Sequence, residues 1–268
     1  MVQGKTLRDI CVNKSFETTL EDIEWIEPHG GPLKNGDQII QLIQGKSALE
    51  IGGPTYNGIN LYDWLASCDI VAQFIDERIG RNGLDDPFYV GSRQMGKYII
   101  ADAANLTNII PDHSYDVIYA SHVLEHMQNP LGALLSWDQI LKPGGLAFFI
   151  LPWKQNTFDQ FRAVNTLEQL GQKYIRSMAG DPGALRTDFE QTIRSMDMTR
   201  DYGFPPGSSN DALRERTLGS PRGLEQLHWH VYDLHLLNEL FKCLNYSVVS
   251  MDILLPFHQV IAGIKPLS

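Results

Sequence analysis

Three residues whose side chains can bind protons or metal ions come directly after a segment typical of a central β-strand. The run Asp116–Ala120 (DVIYA) is apolar and rich in β-branched and aromatic residues, long enough for a buried strand and too short for a helix. His122, Glu125 and His126 come directly after it, at spacings i, i+3 and i+4. If this segment is helical, the three side chains share one face. The sequence therefore predicts a functional site at the carboxyl end of this strand.

Three interpretations of these side chains remain open. His122 could act as a general base or positioning group for a substrate hydroxyl, because histidine titrates near neutral pH. His122, Glu125 and His126 could instead bind a divalent metal with a fourth ligand from elsewhere. Alternatively, Glu125 and His126 could brace the loop through hydrogen bonds. We favour bracing, and therefore expect no metal. If the site is catalytic, His122 is our candidate.

The strand is followed by a helix and then by a second strand. Large apolar residues recur at helical spacing between Leu131 and Leu141. The sequence KPGG at 142–145 ends that helix, and Leu146–Leu151 is a second apolar run. A strand, a helix and a parallel strand form a crossover that is almost always right-handed and covered by helices.

The segments that carry this unit are SYDVIYASHVLEH, NPLGAL and LKPGG. In combination they resemble the second half of class I S-adenosylmethionine (SAM) dependent methyltransferases, most closely the methyltransferase type 11-like group. The resemblance spans roughly residues 47–152. It implies an α/β fold: a doubly wound, mostly parallel, seven-stranded Rossmann-like sheet with an antiparallel terminal hairpin and an inserted helical lid. It also implies SAM as the cofactor.

The first cofactor-binding segment is the glycine loop SALEIGGPTYNG, which follows a short apolar run. In a doubly wound sheet the ligand lies beyond the carboxyl ends of the strands, where glycines let the backbone approach it. By resemblance to the family, Glu50, Gly52 and Gly53 lie under the methionine moiety of SAM. Pro54 and Tyr56 depart from the family pattern, which has further glycines there.

The second segment should carry the group that binds the ribose hydroxyls, about twenty residues past the glycine loop. The usual spacing leads to Gln73, whereas the nearest carboxylate is Asp76, three residues later. A carboxylate makes the stronger, charge-assisted hydrogen bond. Both residues remain candidates.

The remaining cofactor-binding residues follow the third and fourth predicted strands. Asp102 and Ala103 end the third strand, and in the resembled family such a pair binds adenine through the carboxylate and the next backbone N–H. Asp102 is equally suited to cap a helix. Ser121 and His122 end the central strand, directly over the expected cofactor.

Four regions are expected along the chain. Residues 1–46 form an N-terminal helical cap, and residues 47–152 form the SAM-binding core. Residues 153–227 are an inserted lid or substrate region, because a compact domain seldom keeps so long a connection without using it. Residues 228–268 complete the core with a helix and two strands.

Three further histidines lie in this C-terminal region. His228 and His230 alternate, so that both point the same way on an extended segment. Together with His258 they are candidates to meet His122 in the mouth of the active site. We assign His230 as a second catalytic candidate beside His122.

Charge and composition exclude several partners. The formal net charge is −10, which opposes generic binding to the phosphate backbone of nucleic acids. No apolar run is long enough to cross a bilayer, and the first 25 residues lack the apolar core of a signal peptide. Cys11, Cys68 and Cys243 have no metal or redox spacing, which fits a reducing cytoplasm.

The sequence therefore predicts a methyltransferase that acts on an oxygen or nitrogen acceptor of a small molecule or glycan, by in-line transfer in a lidded pocket. One alternative is a degenerate methyltransferase fold that binds partners without catalysis. Another is a nicotinamide-dependent oxidoreductase, which the missing G-x-G-x-x-G motif and the terminal strand pair disfavour.

Overall fold

The fold was analysed in a computed structural model of the chain, which describes residues 26–55, 58–73, 85–180, 182–200, 207–220 and 223–267. In these ranges no helix is both long and apolar enough to cross a membrane. Of the expected N-terminal cap, residues 26–46 are described. They contain one helix, α1 (Gly36–Ile43).

Within the described residues the fold is a single eight-stranded, mostly parallel sheet with helices on both faces, which confirms the predicted α/β class. The strand order is β3-β4-β2-β1-β5-β6-β8-β7. The strands are β1 (Ser47–Ile51), β2 (Ser67–Ala72), β3 (Pro87–Val90), β4 (Arg93–Ile100), β5 (Tyr115–Ser121), β6 (Leu141–Pro152), β7 (Ser247–Leu254) and β8 (His258–Ile264).

The predicted number of seven strands was one too low. The additional strand, β3, pairs antiparallel with β4 at the edge of the sheet. It is four residues long and begins with Pro87, a residue that sheets accept at edges and at the start of strands. So short a run carries too little periodicity to be read from sequence.

The helices include one at the position that the apolar spacing between Leu131 and Leu141 predicted. Those after α1 are α2 (Pro130–Ile140), α3 (Leu167–Met178), α4 (Pro182–Ser195), α5 (Asn210–Gly219) and α6 (Leu234–Cys243). Short 3-10 helices occupy Ala103–Asn108, Leu124–His126, Lys154–Asn156, Met198–Arg200 and Gly223–Gln226. Helices α3, α4 and α5 all belong to the region predicted as an insertion.

The two faces of the sheet bury separate apolar cores. Alternating residues of one strand supply both, because successive side chains point to opposite faces. Leu49 and Ile51 pack with α2 and α6, whereas Ala48 packs with α1 through Ile39 and Ile43. Burial of each leucine or isoleucine contributes about 2 kcal/mol. The apolar runs of the parallel strands reflect this double burial.

The segment LKPGG is the start of β6 and not merely the end of α2. Gly145 lies so close to β5 that an added Cβ would sit 2.8 Å from the carbonyl oxygen of Asp116. Gly144 has φ +75°, which places it in the left-handed region. The two glycines lie inside β6, where its pairing with β5 shifts between Tyr115–Leu141 and Val117–Leu146, and they allow the close approach of the two strands there.

The C-terminal hairpin closes the sheet. Strand β8 pairs antiparallel with both β6 and β7, as the family resemblance implied. Gln259 is buried in β8 and donates to the carbonyl oxygens of Pro152, at 2.8 Å, and Tyr232, at 2.9 Å. The hairpin therefore fixes both ends of the insertion.

We expect Asp116 to stabilise the junction between β1, β5 and β6. Its carboxylate accepts hydrogen bonds from the Ser47 hydroxyl, at 2.6 Å, and from Lys142 Nζ, at 3.0 Å. Burial raises the pKa of Asp116, but Ser47 and Lys142 outweigh it and lower the pKa below its ordinary value. This stabilisation is present above the unfolded-state pKa, about 4, and is lost as pH falls through the lower folded pKa.

Asp116→Asn should therefore lower the free energy of unfolding by about 2 kcal/mol at pH 7. The difference from wild type should shrink on acidification below about pH 4. Urea unfolding at several pH values measures both effects. Asp63→Asn, which alters an exposed carboxylate, is the control. An Asp116 effect that does not change with pH would contradict the assignment.

Candidate functional site

Parallel pairing brings the predicted cofactor residues to one edge of the sheet. Strands β4, β2, β1 and β5 are neighbours and run in the same direction. The segments after them begin with Ala101, Gln73, Gly52 and His122 respectively. Gly52 N donates to Val71 O at 2.9 Å, and Ala101 N donates to Ala72 O at 3.0 Å, so adjacent strands end level with each other.

The glycine loop requires glycine at its first two positions. Gly52 has φ +79°, and an added Cβ would lie 2.5 Å from Val123 Cγ2 in the segment after β5. A Cβ on Gly53 would lie 2.3 Å from the carboxyl carbon of Glu50. Gly52 is exposed, so its backbone remains accessible at the sheet edge.

Glu50 holds the far side of this loop in place. Its side chain is fully buried and accepts hydrogen bonds from Thr55 N, at 2.8 Å, from Thr55 Oγ1, at 2.6 Å, and from the Tyr62 hydroxyl. Burial and the neighbouring Glu50 raise the pKa of Tyr62, which therefore remains a donor. This bracing role was not foreseen from sequence, and contact of Glu50 with SAM stays a prediction.

Of the two residues predicted to bind the ribose hydroxyls, the structure describes only Gln73. Gln73 is exposed directly after β2, and its amide nitrogen donates to Glu225 Oε1 at 3.2 Å. This bond links the sheet edge that carries the predicted cofactor residues to the end of the region predicted as an insertion. Asp76 lies outside the described residues. The choice between Gln73 and Asp76 stays open.

Asp102 caps the 3-10 helix that follows it. Its carboxylate accepts from Ala104 N at 2.9 Å and from Asn105 Nδ2 at 2.8 Å, so the capping interpretation is confirmed. The Ala103 carbonyl accepts from Trp137 Nε1 at 2.7 Å, which ties the loop to α2. Asp102 is exposed at the sheet edge, and its contact with adenine stays a prediction.

The helical arrangement considered for His122, Glu125 and His126 was wrong. Only Leu124–His126 is helical, as one 3-10 turn, and His122 has a left-handed φ of 54°. The side chains nevertheless converge on Glu125. His122 Nδ1 lies 3.4 Å and His126 Nε2 lies 3.8 Å from its Oε1. The tight turn after β5 therefore brings the three side chains together, as a helix had been expected to do.

His258 contacts His122, as the sequence suggested. His122 Nε2 and His258 Nδ1 are 2.9 Å apart, so one ring donates to the other. Burial and the neighbouring His122 lower the pKa of His258. Ser121 is half-buried at the end of β5 beside this pair.

His228 and His230 have different surroundings. The ring of His228 packs against His126, with centroids 4.8 Å apart, and its Nδ1 lies 2.5 Å from Asp159 Oδ2. His230 is fully buried, with Nε2 3.4 Å from Gln128 O, and burial lowers its pKa to about 3. His230 thus stays neutral near pH 7, which favours a structural role. Its catalytic assignment stays a prediction.

Asp159 and Arg162 were missed by sequence reasoning. Arg162 Nη1 donates to Asp159 Oδ1 at 2.6 Å and to the carbonyl oxygen of His228 at 2.7 Å. Both side chains are buried. The only sequence signal was their i, i+3 spacing, which is common on exposed turns.

Glu125 is a buried acid whose pKa is set by opposing effects. Burial raises its pKa, but His122, His126 and His228 outweigh that effect and hold the pKa below its ordinary value. Burial lowers the pKa of His126, although Glu125 opposes the shift. The arrangement favours an ionised Glu125 carboxylate and a neutral His126 imidazole.

Comparison with known proteins agrees with the sequence resemblance. Residues 65–149 match a family model described as "Methyltransferase domain". This segment runs from just before β2 into β6, and the match confirms the resemblance to class I methyltransferases and SAM as their cofactor. None of the curated proteins matches the chain.

Solved structures with a similar arrangement include two bacterial methyltransferases. One is a SAM-dependent methyltransferase from Aquifex aeolicus, with 10% identity, coverage of 85% of this chain and 86% of that one, and a TM-score of 0.44. Another is an S-adenosylmethionine-dependent methyltransferase from Mesorhizobium loti, with 13% identity, coverage of 85% and 96%, and a TM-score of 0.46.

Gly52→Ala should disrupt the glycine loop more than left-handed strain alone can explain. Gly45→Ala is the matched control, since Gly45 has φ +71° with no atom within 4 Å of an added Cβ. The control should cost about 1 kcal/mol, whereas Gly52→Ala should cost about 3 kcal/mol because of the clash with Val123. Urea unfolding measures both. Equal costs would contradict the close packing of Gly52 on Val123.

Proposed function

We propose that this chain, a class I methyltransferase whose cofactor is SAM, transfers the methyl group to an oxygen or nitrogen atom of a small molecule or glycan. The observation that carries the proposal is the match of residues 65–149 to a methyltransferase domain. That segment contains the ends of β2, β4 and β5, three of the four strand ends at which cofactor contacts are proposed.

The proposed cofactor site follows the sheet edge. The exposed backbone at Gly52 and Gly53 would approach the methionine moiety, and Gln73 or Asp76 would bind the ribose. Asp102 would accept from the adenine amine while it continues to cap its helix, since a carboxylate can accept several hydrogen bonds. Ser121 and His122 would face the sulfonium end. The exposure of Gly52, Gln73 and Asp102 at one edge supports this arrangement.

Methyl transfer mainly requires alignment. The sulfonium already makes the methyl carbon electrophilic, so the protein must hold the acceptor in line with the S–CH₃ bond and keep water out. The acceptor atom bonds to the methyl carbon as the S–C bond breaks, and neutral S-adenosylhomocysteine leaves. The proton of the acceptor must also be removed. The His122–His258 pair at the end of β5 is suited to accept it.

A polar cavity supports a hydroxylated acceptor. It has a volume of about 250 Å³ and lies between α3, α4 and residues 162–165. Its wall includes Arg162, which donates a hydrogen bond to the carbonyl oxygen of His228, and Trp229, the next residue along the chain. Several uncharged residues that line the cavity carry amide or hydroxyl groups: Asn165, Gln169, Gln172, Gln191, Thr192 and Ser195. Such groups match sugar-like hydroxyls better than an apolar substrate.

A non-catalytic binding protein is the second candidate. It is favoured by Glu50, whose carboxylate already accepts three hydrogen bonds within the protein, and by Pro54 in the glycine loop. In this case the fold would persist with a weakened cofactor site. The two candidates differ in SAM affinity and in methyl transfer.

Isothermal titration calorimetry with SAM tests the cofactor site. We expect micromolar binding by wild type and none with NADH. Asp102→Asn keeps a side chain that can cap the helix but loses the charge, so it should weaken SAM binding about fivefold. Asp112→Asn is the control, since Asp112 is an exposed acid near the opposite ends of the strands. Unchanged affinity in Asp102→Asn would remove Asp102 from the adenine site.

Labelling tests the class of acceptor. The protein should transfer a tritiated methyl group from SAM into the small-molecule or glycan fraction of a cell extract, and not into RNA. His122→Asn should reduce the transfer about a hundredfold if His122 removes the acceptor proton. Label recovered chiefly in RNA would overturn the proposed acceptor class, and binding of SAM without transfer to any fraction would favour the second candidate.

A further inference from the structure

Three potential ligands meet where the loop after β5 contacts the end of the insertion. Glu125, His126 and His228 each offer one ligand atom, and these atoms lie within 4.8 Å of one another. Glu125 is only 1% exposed, and neither of its carboxylate oxygens accepts a hydrogen bond from any residue the structure describes. A buried carboxylate whose oxygens accept no such bond leaves polar atoms without a partner, and a bound cation would supply one.

The polar side chains near Glu125 lie too far from its carboxylate for short hydrogen bonds. The nitrogens of His122 and His126 closest to Oε1 are 3.4 Å and 3.8 Å away, longer than charge-assisted hydrogen bonds. In the described ranges of the chain, no lysine or arginine forms an ion pair with Glu125. The carboxylate therefore lies between imidazole rings without a hydrogen-bond donor at short distance among the described residues.

Both ligand histidines are held by their other nitrogen. His228 Nδ1 lies 2.5 Å from Asp159 Oδ2, and His126 Nδ1 lies 3.0 Å from the carbonyl oxygen of Leu227. In both rings Nδ1 is thus the donor, and Nε2 keeps a free lone pair. Metal-bound histidines are typically oriented by such a carboxylate or carbonyl partner. Arg162 in turn fixes Asp159.

We propose that Glu125, His126 and His228 bind one divalent transition-metal ion. Two imidazole nitrogens and one carboxylate oxygen suit zinc or iron(II), whereas magnesium and calcium prefer oxygen ligands alone. Ligand atoms around one such ion lie roughly 3–4 Å apart. Small side-chain rotations would bring the observed atoms to that separation. Three protein ligands would leave at least one position open.

The position of the site suggests its use, in a step that rests on the proposed function. Glu125 and His126 directly follow the strand end where His122 would face the methyl group. An acceptor hydroxyl bound at the open metal position would lose its proton more readily, because the metal charge stabilises the alkoxide. The proton would pass to the His122–His258 pair. The metal would thus favour an oxygen acceptor over a nitrogen one.

Metal analysis of the full chain, purified without chelators or a polyhistidine tag, tests the site. We expect about one zinc or iron ion per chain. His126→Ala and His228→Ala should lose it, whereas His113→Ala, which changes an exposed histidine, should retain it. Asp159→Asn should weaken affinity for added zinc about 10-fold to 100-fold, because Asp159 orients His228. Metal retained in both ligand variants would place it elsewhere and overturn the proposal.

Thermal unfolding of wild type provides a measurement that does not depend on how the variants fold. Chelator-treated protein should gain roughly 5–10 °C in Tm when zinc is present at a hundred times its Kd. No bound metal and no shift with zinc, iron(II) or cobalt would overturn the site and leave bracing by Glu125. Calorimetry with SAM on the same samples separates the two proposals. Metal binding without SAM binding would reject the methyltransferase function alone.

Discussion

Parallel strand pairing is the constraint on which the rest of the molecule depends. Because β4, β2, β1 and β5 run in one direction, the segments that follow them emerge at one edge of the sheet. Residues separated by up to 70 positions, Gly52 and His122 among them, therefore lie on the same edge. Two residues at this edge, Gly52 and His122, have left-handed backbone. The edge is the part of the fold where a ligand can approach backbone groups.

The insertion is joined to this edge mainly through polar contacts. Gln73 binds Glu225, and His126 binds the carbonyl oxygen of Leu227. The backbone N–H groups of Trp229 and His230 both approach the carbonyl oxygen of Glu125, at 2.8 Å and 3.3 Å. The insertion also has its own small apolar core. Direct contacts therefore connect residues 225–230 with the segments after β2 and β5, so a change in one can reach the other.

Much of the fold could be predicted from sequence because its signals are local. The runs in β5 and β6, the periodicity of α2 and the terminal strands β7 and β8 each reflect burial of one segment. The short edge strand β3 could not, since four residues carry little pattern. The role of Glu50 also escaped prediction. Its partners Thr55 and Tyr62 became apparent only once the loop was folded.

The sequence by itself determined the sheet apart from its edge strand β3, its crossover and the strand ends at which Gly52, Asp102 and His122 lie. Apolar periodicity and turn residues act over a few positions, which makes these features local. Only the tertiary structure decided which histidine joins which partner. His258 meets His122, and His228 meets His126 across about a hundred residues of chain. Such contacts depend on how the insertion folds back on the core, and no local pattern encodes that path.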